Sequence, residues 1–293
     1  MISHGRIFLL SLLSGFAVTF AFGQIPDNAR CSSFRVMSFN IRFDNPGDSG
    51  NRWDNRAEMV ASMIRFHDAD LVGIQEALIG QLRNLRDRLE DYDWTGVGRD
   101  DGAEEGEFSA ILFRKGRFNL TSHGTFWLSE KPGAPGPGWD AACNRVVTWG
   151  LFTDRITGRT VAHFNTHFDH MGTLARKESA LLLKKNIPQL AGTLPVIVTG
   201  DLNCNDRSEP YRIITDTAGS PRLYDSYHVS HLPPHGPESS WSGFTSAGTD
   251  GERIDYIFVT HDFSVLRHGI LSDAWGTCFP SDHMPVIAEI IFR

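Results

Sequence analysis

No run of lysine and arginine occurs in the chain, and its 28 basic residues are outnumbered by 35 acidic ones, giving a formal net charge of -7. A protein held on nucleic acid mainly through phosphate contacts needs a basic patch or stripe, so this balance weighs against that mode of binding. It does not exclude a nuclease whose bound cation offsets local acidity. Cysteine is scarce. Cys31, Cys143, Cys204 and Cys278 lie far apart, and no pair has the close spacing of a structural zinc site. In an oxidising compartment four cysteines allow three pairings, and the spacing selects none of them. Beyond the N-terminal region no apolar run is long enough to span a bilayer. Repeats and low-complexity tracts are missing, and no linker divides the chain.

The N-terminal region itself has a recognisable order. Arg6 precedes an apolar run from Ile7 to about Phe22, then comes Ala21-Phe22-Gly23, then Gln24. A basic start, a short apolar centre and small residues at the end are the marks of a secretory signal peptide, here residues 1–23. Ser11, Ser14 and Gly15 interrupt the run, which argues against a membrane anchor. The polar residues Asp27-Asn28-Ala29-Arg30 before Cys31 do not suit a lipid-modified cysteine. A soluble secreted or periplasmic product, residues 24–293, is therefore expected as one domain.

Hydrophobic periodicity predicts strands over 35–41, 70–75, 108–113, 125–128, 146–152, 161–166, 195–199, 253–260 and 284–292. Helical spacing is predicted over 56–66, 79–89 and 176–190. Both halves mix the two element types, which points to an α/β fold with two facing sheets and helices outside.

Acidic, Asn and His residues recur where these strands end: Asn40, Glu76, His167, Asp201, Asn203, Asp255, Asp282 and His283. Loops at strand ends present functional groups on a rigid scaffold. Each residue also has a plain structural reading. Asn40, Asp201 and Asn203 could serve turns, Glu76 a helix N-terminus, and Asp282-His283 the entry to a strand. Asp255 is harder to dismiss, because it lies in the apolar run Ile254 to Val259, where a buried carboxylate needs a partner. His283 is the natural one.

The segments SFNIR (38–42), GIQEAL (73–78), NTHFDH (165–170), GDLNCN (200–205), RIDYIF (253–258) and SDHMPV (281–286) follow one another in this order. As a set they resemble the motifs of the endonuclease/exonuclease/phosphatase superfamily, from about residue 34 to the end. RWDNR (52–56), GTFWLSE (124–130) and GWDAACNR (138–145) resemble its bacterial metal-dependent hydrolase branch. The resemblance implies a DNase I-like four-layer α/β sandwich with two central, mainly antiparallel sheets. It implies Mg²⁺ or Mn²⁺ held by Glu76, with Asn40 and Asp282 beside it. Asp201 would position or activate water, Asn203 would hold a phosphate oxygen, and His283 would contact phosphate while paired with Asp255. His167 would act as the acid for the leaving oxygen. Asn40 and Arg145 would add contacts to the substrate phosphate. The implied chemistry is in-line attack of water on phosphorus. Cys204, inside GDLNCN, is read as a bystander, and Trp127, Trp139, Trp241 and Phe244 as possible groove residues.

Three functional readings follow. The first is a phosphomonoesterase or phosphodiesterase acting on a small or lipid-linked ester, working as a monomer without an obligate protein partner. The second is an extracellular nuclease, which would show polynucleotide cleavage with steep salt dependence. The third is an inactive binding module of the same fold, against which the retention of all eight polar residues argues.

Overall fold

The computed structural model describes Met1, residues 32–245 and residues 251–293. The expected signal peptide and Cys31 lie outside the described residues. Among those residues, no helix is long and apolar enough to cross a membrane.

Two six-stranded sheets face each other. In chain order the first is built from β1 (Phe34–Asn40), β2 (Leu71–Gln75), β3 (Tyr92–Thr95), β4 (Ile111–Arg114), β11 (Phe263–Ile270) and β12 (Val286–Phe292). The second contains β5 (Phe118–Trp127), β6 (Val146–Asp154), β7 (Thr160–His167), β8 (Val196–Asp201), β9 (Tyr224–Asp225) and β10 (Asp255–Val259). Helices α1 (Trp53–Phe66) and α2 (Ile79–Arg88) cover the first sheet, and α3 (Thr173–Ala191) and α4 (Glu209–Thr215) cover the second. A short α5 (Ser226–Val229) follows β9. This is the expected four-layer α/β sandwich.

Each sheet has one parallel pair, β1 with β2 and β7 with β8, and its other pairings are antiparallel. A parallel pair needs a crossover, supplied by α1 in one case and α3 in the other. Alternation along β1 shows how the layers separate. Phe34 and Val36 enter the core between the sheets, whereas Met37 and Phe39 pack under α1 and α2.

Toward the functional end the inter-sheet layer turns polar. Gln75 donates to Ser38 Oγ (3.3 Å) and to Asn165 Oδ1 (2.7 Å), and Thr199 Oγ1 donates to the same Asn165 oxygen (2.9 Å). Asn165 Nδ2 donates to the carbonyls of Ile74 and Ala110, both at 2.8 Å. This network ties β2 to β7 and β8, so the two sheets meet in a fixed register, with the buried Gln75 Oε1 left without a partner. Gly73 makes the approach possible, because a Cβ there would overlap the Thr199 and Asn165 side chains.

Candidate active site

The C-terminal ends of β1, β2, β7 and β8 meet the N-terminal end of β10 at one edge of the sandwich. His167 is in register with Asp201 across the parallel pair, and Asp255 is opposite Asp201 across the antiparallel one. Asp201 is thus the hub. Its Oδ1 accepts from the Asn203 backbone N (2.8 Å), while Oδ2 lies 3.5 Å from His167 Nε2 and 3.7 Å from His283 Nε2. His283 Nδ1 donates to Asp255 Oδ2 at 2.9 Å. Asn203 Nδ2 lies 2.9 Å from both His167 Nε2 and the Phe168 carbonyl.

Asn40 joins the two sheets. Its amide donates to Glu76 Oε1 and to Asp201 Oδ2, each at 3.0 Å, and its carbonyl accepts from Arg42 N at 3.0 Å. The side chain is fully buried and its polar atoms are engaged. Asn40, expected beside metal and phosphate, bridges the two carboxylates Glu76 and Asp201.

Glu76, Arg42 and Asn203 have φ values of 61°, 56° and 48°. Left-handed backbone at a residue other than glycine costs on the order of 1–3 kcal/mol and persists where surroundings over-determine it. Here all three flank one cavity of about 290 Å³, into which His167, Asp201, His283, Asp282 and Arg145 also open. The loop carrying Asp282 is held by α1. Arg56, buried beneath it, donates to the carbonyls of Asn51 (2.6 Å), Ile41 (2.7 Å), Pro280 (2.7 Å) and Arg42 (3.1 Å). One guanidinium thereby fixes the segment after β1 against the segment before His283.

The charges are strongly mutual. Burial and the Asp255 carboxylate push Asp201 up to about 7. Burial opposes a charged His283, but Asp255 and Asp201 outweigh it and raise the imidazole to about 10. His167 is held well below the usual histidine range by burial, with Arg145 and Arg99 adding to the effect. These shifts favour a cationic His283 and a neutral His167, the residue expected as the acid. Burial, together with Glu76, raises Asp282. Arg42 lies 3.8 Å from Glu76 and 3.7 Å from Asp282, and it pairs with Asp48 at 2.9 Å.

Arg145 opens on the same cavity. It approaches Asp169 at 3.4 Å and His170 Nδ1 at 3.0 Å, while its buried Nη1 has no hydrogen-bond partner. Asp169 itself is fully used. It accepts from the Met171, Gly172 and Ala142 backbone N–H groups, which hold its carboxyl far below the usual range against the opposing effect of burial.

Sequence reasoning missed Arg99 and Glu107. They form a bidentate pair at 2.8 Å on the cavity wall, and Glu107 lies 4.0 Å from His167 Nδ1. Both belong to the Gly/Asp/Glu loop 98–107, whose composition singles out neither residue. Arg42 was visible only as part of SFNIR. Of the four aromatic groove candidates, Trp241 opens on the cavity. Trp127 is buried with its indole N–H on the Arg99 carbonyl (2.7 Å), and Phe244 packs over Arg56. Trp139 is not among the cavity residues. Burial pushes the Cys204 thiol up to about 11, which removes it as a nucleophile at neutral pH.

The sequence profile of the endonuclease/exonuclease/phosphatase family matches residues 37–283. The chain belongs to that family. A family protein from Bacteroides thetaiotaomicron is 39% identical, with 89% of this chain and 98% of that one covered and a TM-score of 0.85. A mannosyl-6-phosphatase of Bacteroides thetaiotaomicron is 38% identical over 89% of this chain and 100% of that one, with a TM-score of 0.84. The catalytic domain of human Nocturnin, solved with a bound sulfate anion, shares the fold at 20% identity, 90% and 94% coverage and a TM-score of 0.69. Endonuclease/exonuclease/phosphatase proteins are hydrolases of phosphate esters and generally use a divalent metal.

The residues present fit such an ion. Glu76, Asp201 and His283 each bring a ligand-type atom within 4.8 Å of the others. His283 Nδ1 is already engaged by Asp255, and the carboxylates supply oxygen donors. Glu76 and Asp282 face the same space, and the charge of Glu76 discourages ionisation of Asp282. A hard cation with oxygen preference, such as Mg²⁺ or Mn²⁺, relieves that conflict.

Proposed function

We propose that the protein is an exported, divalent-metal-dependent phosphatase acting on a small phosphomonoester. The observation that carries this reading is the unbroken line Asp255–His283–Asp201–Asn40–Glu76, which links a carboxylate–imidazole pair to the expected metal carboxylate across both sheets. A metal held by Glu76 and Asp282 would supply Lewis-acid stabilisation of charge on phosphate oxygens. Asp201, with its raised pKa, is suited to orient water and take its proton. His283, kept cationic by Asp255, offers Nε2–H to a phosphate oxygen, and Arg145, whose Nη1 has no partner, adds a donor from the cavity wall. Neutral His167 positions Asn203.

Preference for a small ester rests on the cavity size, near the lower bound of ligand sites at roughly 300 Å³, and on the acidic overall balance. The mannosyl-6-phosphatase relative makes hexose 6-phosphates the first substrates to try. Export rests on the order of residues 1–23 alone.

The test is phosphate release by the mature chain with Mg²⁺ or Mn²⁺ and with EDTA. The panel contains mannose 6-phosphate, glucose 6-phosphate, bis(p-nitrophenyl) phosphate and plasmid DNA. Metal-dependent release from a monoester, faster than diester or DNA cleavage, is the expected result. Cleavage of DNA with no monoester turnover would replace this reading with the nuclease one.

A further inference from the structure

Trp241 is 48% exposed, yet it opens on the cavity that holds the ionisable groups described above. A half-exposed indole beside a polar cavity offers a flat apolar face to a ligand when its position is fixed. The backbone that carries it is fixed. Trp241 forms an antiparallel bridge with His283, and its backbone N–H donates to Ser239 Oγ at 3.2 Å. Ser242 and Gly243 donate to the Asp282 carbonyl at 2.7 and 3.0 Å, and Met284 donates to the Ser240 carbonyl at 2.7 Å. The turn behind the ring is also shaped for it. Gly243 has φ 61°, and a Cβ there would stand 3.3 Å from the indole Cζ2, closer than ordinary contact allows.

We infer that Trp241 is a specificity-determining platform for the pyranose ring of a hexose 6-phosphate, an inference that rests on the phosphomonoesterase reading above. Three observations favour a pyranose. The electron-rich indole face attracts the polarised C–H groups of a sugar ring. Apart from Phe43 and Cys143 the rest of the wall is polar, and the Arg99–Glu107 pair and His170 supply donors and acceptors for hydroxyls. An alkyl chain would leave those groups desolvated and unsatisfied. Bridge partners on facing strands stand about 4.5–5.5 Å apart at Cβ, so the platform begins close to the His283 imidazole. That reach suits a ring one methylene from the phosphate. A nucleobase, separated from its phosphate by a ribose, falls farther out.

The test compares kcat/KM for mannose 6-phosphate, glucose 6-phosphate, glycerol 3-phosphate and adenosine 5′-monophosphate, using Mg²⁺-loaded wild type, Trp241→Ala and Trp241→Phe. Wild type should prefer a hexose phosphate over glycerol 3-phosphate. Trp241→Ala should cut that preference about tenfold or more, mainly through KM, and Trp241→Phe should restore most of it. A preference that changes less than about twofold in Trp241→Ala, or a loss confined to kcat, would overturn the inference and leave the phosphatase reading standing. So would a selective loss on the nucleotide alone. A wild type that releases phosphate from none of the four would remove both.

Discussion

Asp201 has two neighbours of opposite effect, since Asp255 raises its pKa and His283 lowers it. Neutralising either member of this pair removes an interaction needed when charge develops on phosphate oxygens. Replacing His283 by Ala, or Asp201 by Ala, should lower kcat at least about a hundredfold, corresponding to about 2.7–4 kcal/mol of barrier. Steady-state kinetics on the preferred phosphate ester measure this, and near-normal turnover in either variant would withdraw the assigned role. Cys204 provides the contrast at the same scale. Two residues after the hub's loop begins, it packs against the core under α3 and α4 with a raised thiol pKa. Cys204→Ala should keep kcat/KM within about threefold, and thiol alkylation should not track activity.

At the scale of elements, the polar seam between the sheets decides where the strand ends fall. Gly73→Ala would drive a methyl into Thr199 and Asn165 and should destabilise the fold by about 1–3 kcal/mol, read as a lower urea midpoint at unchanged slope. An unchanged midpoint would mean that the sheets can separate locally without cost. Most elements here were legible from periodicity, because β1, β2, β7, β8 and β10 are buried runs with a polar residue at the end nearest the site. The exceptions have identifiable causes. In β11 a bulge between Val265 and Arg267 breaks the alternation that marks a strand. β3 is four residues long and sits at a sheet edge. β5 begins at Phe118, well before the predicted start, because its outer residues face solvent and read as loop. α4 did carry a signal, with Ser208 capping Tyr211 N and Pro210 in the first turn, but seven residues are too few for helical periodicity. The motif residues of the site were readable for the same reason as the strands. Arg99, Glu107 and Arg56 were not, since their roles depend on contacts between segments distant in sequence.

For the whole molecule, two buried histidines tie stability to pH. His163 on β7 is held down to about 3 by burial, and burial likewise holds His268 on β11 down to about 4. In the unfolded chain both titrate near the ordinary value of about 6.5. Below that pH the unfolded state takes up protons that the folded state refuses, so stability is lost as pH falls from about 6.5 toward the folded-state values. At pH 5 the loss should be about 2 kcal/mol for each histidine, from about 1.5 pH units at 1.36 kcal/mol each. Urea unfolding of wild type and His163→Gln at pH 7.5 and pH 5 isolates one histidine, and the variant should show the flatter dependence. The same pH dependence in both proteins would show that the His163 imidazole protonates freely within the fold.

The central claim is that one cavity, built where the two sheets meet, directs water onto phosphorus with the help of a divalent cation. Hydrolysis of mannose 6-phosphate or glucose 6-phosphate in heavy-oxygen water, with Mg²⁺ and with EDTA, tests it most directly. The account predicts that the heavy oxygen appears in the released phosphate, that EDTA stops turnover, and that His283→Ala is almost inactive. Heavy oxygen in the sugar, or turnover that ignores both EDTA and His283→Ala, would contradict it.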